Sequence, residues 1–223
     1  MEDVIFGFDL SRQWEYENGF YLTSHSSRLA KSIMHWELYK HIINLPGEIV
    51  ECGVYKGASL IRFATFREMS ESQYSRKIIG FDIFGKFPIT EDLDDNQFIQ
   101  GFENAGGDGI PKTDLMNVLS KKGFDNIELI EGNVLDTIPS YIEKNPHLKV
   151  ALLHIDVDVY NATKCSLENL FDKVVTGGVI ILDDYGTAPG ETRAVDEFIN
   201  TKSRNILIQK NPFYKVPCYI IKE

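Results

Sequence analysis

The chain has 223 residues, of which 43% are hydrophobic and 25% charged, an ordinary composition for a globular protein with a sizeable core. Its formal net charge of −10 argues against a nucleic-acid backbone or an anionic membrane surface as the main partner. The apolar runs are shorter than a membrane span and the first residues do not resemble a signal peptide, so we expect a cytoplasmic protein without a membrane partner. Cys52, Cys165 and Cys218 have neither disulfide-framework nor zinc-ligand spacing.

The predicted elements alternate between helix and strand. Apolar residues at helical spacing predict a helix in residues 24–44, within an N-terminal helical cap spanning 1–46. A second unit, 47–223, follows. Its predicted elements, in order, are strand 48–52, helix 58–70, strands 77–82 and 126–132, helix 134–144, strand 149–156, helix 161–174, strand 177–184 and helix 191–202.

The end of the chain reads as two more strands. They begin at Asn205 and are joined by a short connection around Asn211-Pro212, which favours an antiparallel pair over a crossover. Apolar strands alternating with helices indicate a sheet covered on both faces. The prediction is therefore a doubly wound, Rossmann-like α/β fold, with a mostly parallel seven-stranded sheet and an antiparallel C-terminal strand.

Residues 83–110 form a long segment rich in glycine, phenylalanine and acids between a predicted strand and the next helix. Long loops in compact domains are usually functional or disordered. Since ligands bind at the carboxyl ends of parallel strands, we expect a substrate-covering loop here. Its acidic run, 91–95, is expected to be a solvated loop surface.

The first candidate site is ECGVYKG, residues 51–57, at a strand-to-helix turn. Gly53 and Gly57 allow a sharp turn and a close approach to a ligand, although a tight turn without function has the same pattern. The turn matches neither a phosphate loop nor a dinucleotide fingerprint. Glu51 suits a cationic amine, and Asp82 is placed to accept hydrogen bonds from ribose hydroxyls. Together they favour a positively charged nucleoside, for which S-adenosylmethionine is the obvious candidate.

Four acids form the second candidate site. Asp156 and Asp158 follow one apolar run, and Asp183 and Asp184 follow another. The first two share a face if their strand stays extended, whereas the second two reach one point only if their strand has ended. Carboxylates without histidine or cysteine favour Mg²⁺ and allow Ca²⁺ or Mn²⁺. Helix capping is the alternative, but it explains one acid per strand end rather than two. We expect His154, on the same strand face as Asp156, to be structural.

These motifs resemble a known family. The sequence DVDVY at 156–160, GGVIILDDY at 177–185 and AVDEF at 194–198 are similar to the sugar O-methyltransferases of antibiotic biosynthesis, namely the macrocin, mycinamicin and novobiocin-pathway enzymes. The similarity extends over GEIVECGVYKGASL, GFDIFGKFP and IELIEGNVLDTIP, and so covers most of the chain from about residue 15.

The resemblance implies a class I methyltransferase fold with S-adenosylmethionine as donor and Mg²⁺ or another divalent cation. It implies that Asp156, Asp183 and Asp184 hold the metal, so that Asp156 takes part in catalysis, and that Asp158 is the general base. It also places Tyr21 near the ligands. The donor-binding residues predicted from the turn and the resemblance together are Glu51, Gly53, Tyr55, Gly57, Ser59, Asp82, Gly132, Asn133 and Asp156.

The predicted function is metal-dependent transfer of a methyl group to a hydroxyl of a sugar or sugar-containing metabolite. Two neighbouring hydroxyls would chelate the metal, and Asp158 would take the proton of the attacking one. The alternatives are a catechol-type acceptor, a metal-dependent nucleotide-sugar enzyme, and a scaffold that binds a nucleoside without turnover. The predicted partners are a small-molecule sugar or glycosylated acceptor and, in a homodimer or higher homo-oligomer, further copies of the chain. The apolar stretch IMHWELY, residues 33–39, could serve a homodimer or the core.

Overall fold

The computed structural model describes residues 4–202 and 206–223. In these ranges the strands are β1 (Val4–Ile5), β2 (Phe8–Asp9), β3 (Glu48–Cys52), β4 (Ile78–Asp82), β5 (Ile127–Glu131), β6 (Val150–Ile155), β7 (Val174–Leu182), β8 (Gln209–Lys210) and β9 (Cys218–Ile221). The helices are α1 (Gln13–Thr23), α2 (Ser26–Lys40), α3 (Ala58–Ser70), α4 (Leu93–Gly106), α5 (Lys112–Lys121), α6 (Val134–Lys144), α7 (Tyr160–Leu170) and α8 (Pro189–Thr201).

Seven of the strands form one sheet in the order β5-β4-β3-β6-β7-β9-β8. The pairs from β5 through β7 are parallel, whereas β9 is antiparallel to both β7 and β8. The predicted fold class is confirmed. Because β3 pairs with β4 on one side and with β6 on the other, the strand order reverses there, and a crevice opens at the carboxyl ends of these strands.

Both faces of the sheet are covered, which explains why its central strands are mostly apolar. In β7, Val179 and Ile181 pack on one face while Ile180 and Leu182 pack on the other, and all four are fully buried. Each such side chain stabilises the fold by about 1.5–3 kcal/mol when it is buried. The buried polar residues of the central strands, Glu51 of β3 and His154 of β6, lie near the carboxyl ends, where the crevice opens.

The segment 83–110 was predicted as a loop, and that prediction was wrong because α4 lies within it. Asp92 caps the helix by accepting hydrogen bonds from the amides of Asp94 (3.0 Å) and Asp95 (3.2 Å). Asp95 is only 2% exposed, and its carboxylate accepts a hydrogen bond from the Tyr160 amide at 3.0 Å. The acidic run is thus a helix start rather than a loop. Glu91 and Asp94 are exposed, as the sequence predicts, whereas Asp95 is buried and joined to α7.

The N-terminal part contains β1, β2 and α1, followed by α2. Helix α2 corresponds to the predicted helix 24–44 but is shorter at both ends. Within IMHWELY the buried side chains are Met34, His35, Leu38 and Tyr39, so this stretch packs largely into the core. The division into a cap (1–46) and a larger unit (47–223) stays a prediction. The start of the predicted tail strand, Asn205, lies outside the described residues. No helix in the described ranges is long and apolar enough to span a membrane.

Candidate active site

A cavity of about 570 Å³ opens at the carboxyl ends of the parallel strands. This volume is in the range of small-molecule sites. The predicted donor-binding residues that line it are Gly53, Tyr55, Ser59, Asp82, Gly132, Asn133 and Asp156. Glu51, Gly57 and Tyr21 are not among its lining residues, and the Tyr21 side chain is 63% exposed.

Gly53 marks the closest approach between β3 and the end of β6. Its φ is +87°, and a Cβ placed on it would lie 1.8 Å from the carbonyl oxygen of Asp156. Its amide donates to the Phe81 carbonyl at 2.9 Å, so the turn is fixed on the β4 side as well. Only glycine fits here, because any side chain would push the β6 terminus away.

Asp82 is held rigidly at the end of β4. Its Oδ2 accepts hydrogen bonds from the amides of Val54 (2.6 Å) and Tyr55 (2.9 Å), and its Oδ1 accepts one from the Phe84 amide at 2.5 Å. Since each carboxylate oxygen has two lone pairs, Oδ1 retains acceptor capacity toward the cavity. Asp82 can therefore accept a further hydrogen bond from a ligand hydroxyl, and its contact with a ribose stays a prediction.

Glu51 is directed away from the cavity. Its side chain is fully buried, and Oε1 lies 2.9 Å from His154 Nδ1. His154 Nε2 lies 3.0 Å from Asp183 Oδ1, so the imidazole joins two carboxylates. Burial lowers the pKa of His154, but its hydrogen bonds to Asp183 and Glu51 outweigh burial and raise the pKa to about 10. His154 is therefore a charged structural link, and contact between Glu51 and a donor amine stays a prediction.

Asp183 is surrounded by cationic and imidazole groups. Lys31 of α2 donates a hydrogen bond to Asp183 Oδ2, although 152 residues separate the two in sequence. Burial lowers the pKa of Lys31, whereas the charges of Asp156 and Asp183 raise it, and the net shift is upward. Burial would raise the pKa of Asp183, but the Lys31 charge and the His154 hydrogen bond hold it well below the usual range. Asp183 is thus ionised and already paired.

His35 packs beside Asp183 but does not form a hydrogen bond with it. It is fully buried, its Nε2 is 3.8 Å from Asp183 Oδ1, and neither ring nitrogen has a hydrogen-bond partner in the described part of the chain. Burial lowers the pKa of His35 to about 3, so the ring is neutral.

The acids that converge are Asp156, Asp158 and Asp184, each offering an oxygen within 4.8 Å of the others. We call these three residues the acid cluster. The sequence argument expected an extended strand through Asp156 and Asp158. Instead β6 ends at Ile155 and Asp158 has a φ of +61°. A turn, rather than strand alternation, brings the two carboxylates together.

Helix capping does not account for these acids. The residues that precede α7 and α8 are Val159 and Ala188, so none of these four acids occupies the N-cap position of either helix. Burial and the Asp183 charge raise the pKa of Asp156 to about 7, and burial and the Asp156 charge raise that of Asp158 well above its usual value. The repulsion among these carboxylates would be relieved by a proton or a cation. An all-oxygen donor set fits Mg²⁺. Ligation by Asp156, Asp183 and Asp184 stays a prediction, since Asp183 lies in the Lys31–His154 group.

Sequence reasoning missed Lys31 and Glu191. Glu191 is fully buried, its Oε1 accepts a hydrogen bond from the Asp184 amide at 3.0 Å, and its own amide donates to the Asp158 carbonyl at 3.0 Å. It therefore fixes the backbones of two acids at once. The one sequence signal was its place in the first turn of a predicted helix, where an acid is unremarkable.

The chain is similar to known O-methyltransferases. The family model described as macrocin-O-methyltransferase (TylF) matches residues 36–211. Demethyldecarbamoylnovobiocin O-methyltransferase from Streptomyces niveus is 29% identical over 174 residues, which are 70% of this chain and 59% of that protein. The chain spans 54–61% of the length of the curated relatives it matches.

Two solved structures share the fold. The O-methyltransferase NovP has a TM-score of 0.76 at 23% identity, covering 86% of this chain and 79% of that one. The apo structure of CalS11, described as a TDP-rhamnose 3'-O-methyltransferase of calicheamicin biosynthesis, has a TM-score of 0.67 at 25% identity, covering 94% and 86%. Because the family match spans most of the chain and these neighbours share its sheet, the chain belongs to the macrocin O-methyltransferase (TylF) family.

Proposed function

We propose that the protein transfers a methyl group from S-adenosylmethionine to a hydroxyl of a sugar or sugar-containing metabolite, with a divalent cation held at the acid cluster. The observation that carries the proposal is the convergence of three carboxylates within 4.8 Å on the wall of a cavity that the Gly53 turn and Asp82 also line. Membership of a methyltransferase family supports the donor. The TDP-rhamnose acceptor in the description of CalS11 supports a sugar as acceptor.

The donor's nucleoside end belongs at the β4 side of the cavity. Asp82 offers its remaining lone pair to a ribose hydroxyl, and Gly132 and Asn133 line the neighbouring wall. Because Gly53 has no side chain beside Asp156, the donor can bind close to the backbone at the strand ends.

The metal proposal rests on Asp156 and Asp184, which belong both to the acid cluster and to the set implied by the resemblance. The third ligand is either Asp183, as the resemblance implies, or Asp158, as proximity suggests. A bound divalent cation lowers the pKa of a hydroxyl that it coordinates. Where Asp183 is the third ligand, Asp158 is free to take the hydroxyl proton. Burial and the Asp156 charge raise the pKa of Asp158, which makes its ionised carboxylate a stronger base.

The segment 83–110 contributes an apolar wall to the cavity. Phe87, Phe98 and Phe102 line it there, and Asp92 at the start of α4 pairs with Arg193 of α8 at 2.5 Å. An apolar wall opposite the carboxylates directs the acceptor hydroxyls toward the acids.

Calorimetric titration with S-adenosylhomocysteine and then Mg²⁺ tests the proposal on wild type, Asp184→Asn and the exposed control Asp136→Asn. We expect all three to bind S-adenosylhomocysteine and only Asp184→Asn to lose Mg²⁺. Sugar methylation should stop in excess EDTA.

The alternatives give different results. Wild type that binds uridine or thymidine diphosphate but not S-adenosylhomocysteine would favour the nucleotide-sugar enzyme. Methylation of catechols but not of sugars would favour the phenolic acceptor. Full turnover in excess EDTA would remove the metal role.

A further inference from the structure

Asp95, in the first turn of α4, is a buried acid that the mechanism above does not use. Its side chain is only 2% exposed, and its Oδ2 accepts a hydrogen bond at 3.0 Å from the amide of Tyr160, the first residue of α7. The two residues are 65 positions apart in the sequence. A carboxylate is costly to bury unless donors stabilise its charge, and here the start of another helix supplies a donor.

Helix α7 has no acid of its own at its start. The residue at its N-cap is Val159, whose side chain is apolar, and its first turn contains no acid. The first amides of a helix have no partner within the helix and favour negative charge. Asp95 therefore caps α7 from a different helix, and the capped amide lies two residues after Asp158 of the acid cluster.

The first turn of α8 leaves room for the Asp95 carboxylate. A Cβ placed on Gly190 would lie 2.0 Å from Asp95 Oδ1 and 2.6 Å from the Tyr160 amide nitrogen. A side chain at this position would therefore displace Asp95. The next residue, Glu191, fixes the backbones of two acids of the cluster. The Asp95 carboxylate thus lies where the starts of α7 and α8 meet, beside the residues that hold the acid cluster.

The same face of α4 forms part of the cavity wall. Phe98 and Phe102 line the cavity, and they follow Asp95 by three and seven residues. Residues at these spacings share one face of an α-helix. The two rings stack with their centroids 6.4 Å apart. The position of α4 that satisfies Asp95 therefore also fixes both rings in the wall.

A second contact joins the start of α4 to α8, but it is exposed. Asp92 pairs with Arg193, and their side chains are 25% and 43% exposed. Ion pairs at the surface contribute little, because water screens the charges. The hydrogen bond to Asp95 contributes more, since it involves a charged acceptor that water hardly reaches. Asp95, rather than Asp92, is the residue that holds α4 in place.

We propose that Asp95 is a positioning residue for methyl transfer, whose bond to the Tyr160 amide sets the distance between the cavity wall on α4 and Asp158. The inference rests on the proposed function, because it requires that the wall and the acid cluster act on one acceptor. Asp95 does not line the cavity, so it acts through α7 and through the phenylalanines of α4. A displacement of about 1 Å between the two sides is enough to lower the rate about 100-fold.

Steady-state kinetics with a sugar acceptor and calorimetry with S-adenosylhomocysteine test this role. Asp95→Ala should lower kcat/KM for the acceptor about 10- to 100-fold, through a higher KM and a lower kcat. Its affinity for S-adenosylhomocysteine should change less than about twofold, because the donor's nucleoside lies on the β4 side. Asp95→Asn keeps an oxygen for the Tyr160 amide and loses only the charge at the helix start, so it should stay within about fivefold of wild type. Asp94→Ala, which removes an exposed acid from the same turn, is the matched control and should keep wild-type kinetics.

A second pair of variants changes the other side of the bond and does not depend on Asp95→Ala folding. Tyr160→Pro removes the amide donor, and proline suits the first position of a helix after the extended Val159. Its control, Tyr160→Ala, loses the same ring but keeps the amide. We expect Tyr160→Pro to lower acceptor kcat/KM at least about tenfold more than Tyr160→Ala does.

Rates are expressed per S-adenosylhomocysteine-binding site, so that an unfolded fraction of a variant does not enter them. An Asp95→Ala variant that unfolds at lower urea concentration but keeps wild-type kcat and KM would overturn the positioning role. Equal losses in Asp95→Asn and Asp95→Ala, or equal kinetics in Tyr160→Pro and Tyr160→Ala, would overturn it as well. In each of these cases a wild type that methylates the sugar leaves the proposed function intact. If wild type methylates no sugar, the proposed function and the positioning role both fail.

Discussion

Replacing Gly53 with alanine should damage the fold and the site together. The new Cβ would lie 1.8 Å from the Asp156 carbonyl oxygen and 2.6 Å from its carbonyl carbon, whereas ordinary contacts begin at 3.4 Å. The obstacle is backbone, so the end of β6 must retreat by more than an ångström. The φ of +87° adds a cost of about 1–2 kcal/mol for any residue with a side chain.

Together these effects should lower the free energy of unfolding by about 3 kcal/mol. Because Asp156 belongs to the acid cluster, a displacement of this size should also reduce turnover about 100-fold. Urea denaturation measures the first effect, and Mg²⁺ calorimetry with initial rates measures the second.

Gly101→Ala in α4 is the matched control. A Cβ added at Gly101 would have no described atom within 4 Å outside its own helix backbone, so the exchange should stabilise the helix by about 0.5–1 kcal/mol and leave activity unchanged. If Gly53→Ala unfolds at the same urea concentration as wild type and keeps its Mg²⁺ affinity, the close approach of β3 and β6 is not what positions Asp156.

Three further predictions follow from single contacts. Lys31→Met should raise Mg²⁺ affinity about tenfold, because the ammonium that neutralises Asp183 is removed; unchanged affinity in calorimetry would show that Lys31 does not compete with the cation. Asp158→Asn should keep S-adenosylhomocysteine affinity and lose about 10²–10⁴-fold in turnover, whereas a loss below tenfold would argue against its role as base. Burial raises the pKa of Cys52 to about 12, so its thiol should resist a disulfide reagent at about pH 8 until urea unfolds the protein; rapid labelling of the native chain would contradict this.

Local patterns determined most of the elements. Strand β3, helix α3 and helix α6 have the bounds that periodicity and turn residues predict. Their signals are local because an apolar face, a glycine or proline and a polar cap all act within a few residues. The same reasoning missed α4, because its acidic start has the composition of a polar loop. The hydrogen bond from the Tyr160 amide to Asp95, which joins this start to α7, forms only in the folded structure.

For the site, the sequence by itself determined that carboxylates stand at the ends of two apolar strands. Only the tertiary structure decided how they are grouped. The turn at Asp158 brings it to Asp156 and Asp184, while Asp183 pairs with a lysine from α2. Strand order and helix docking create these contacts between residues far apart in the chain. Spacing along the sequence does not show which distant charged residue will contact the carboxylate at a given strand end.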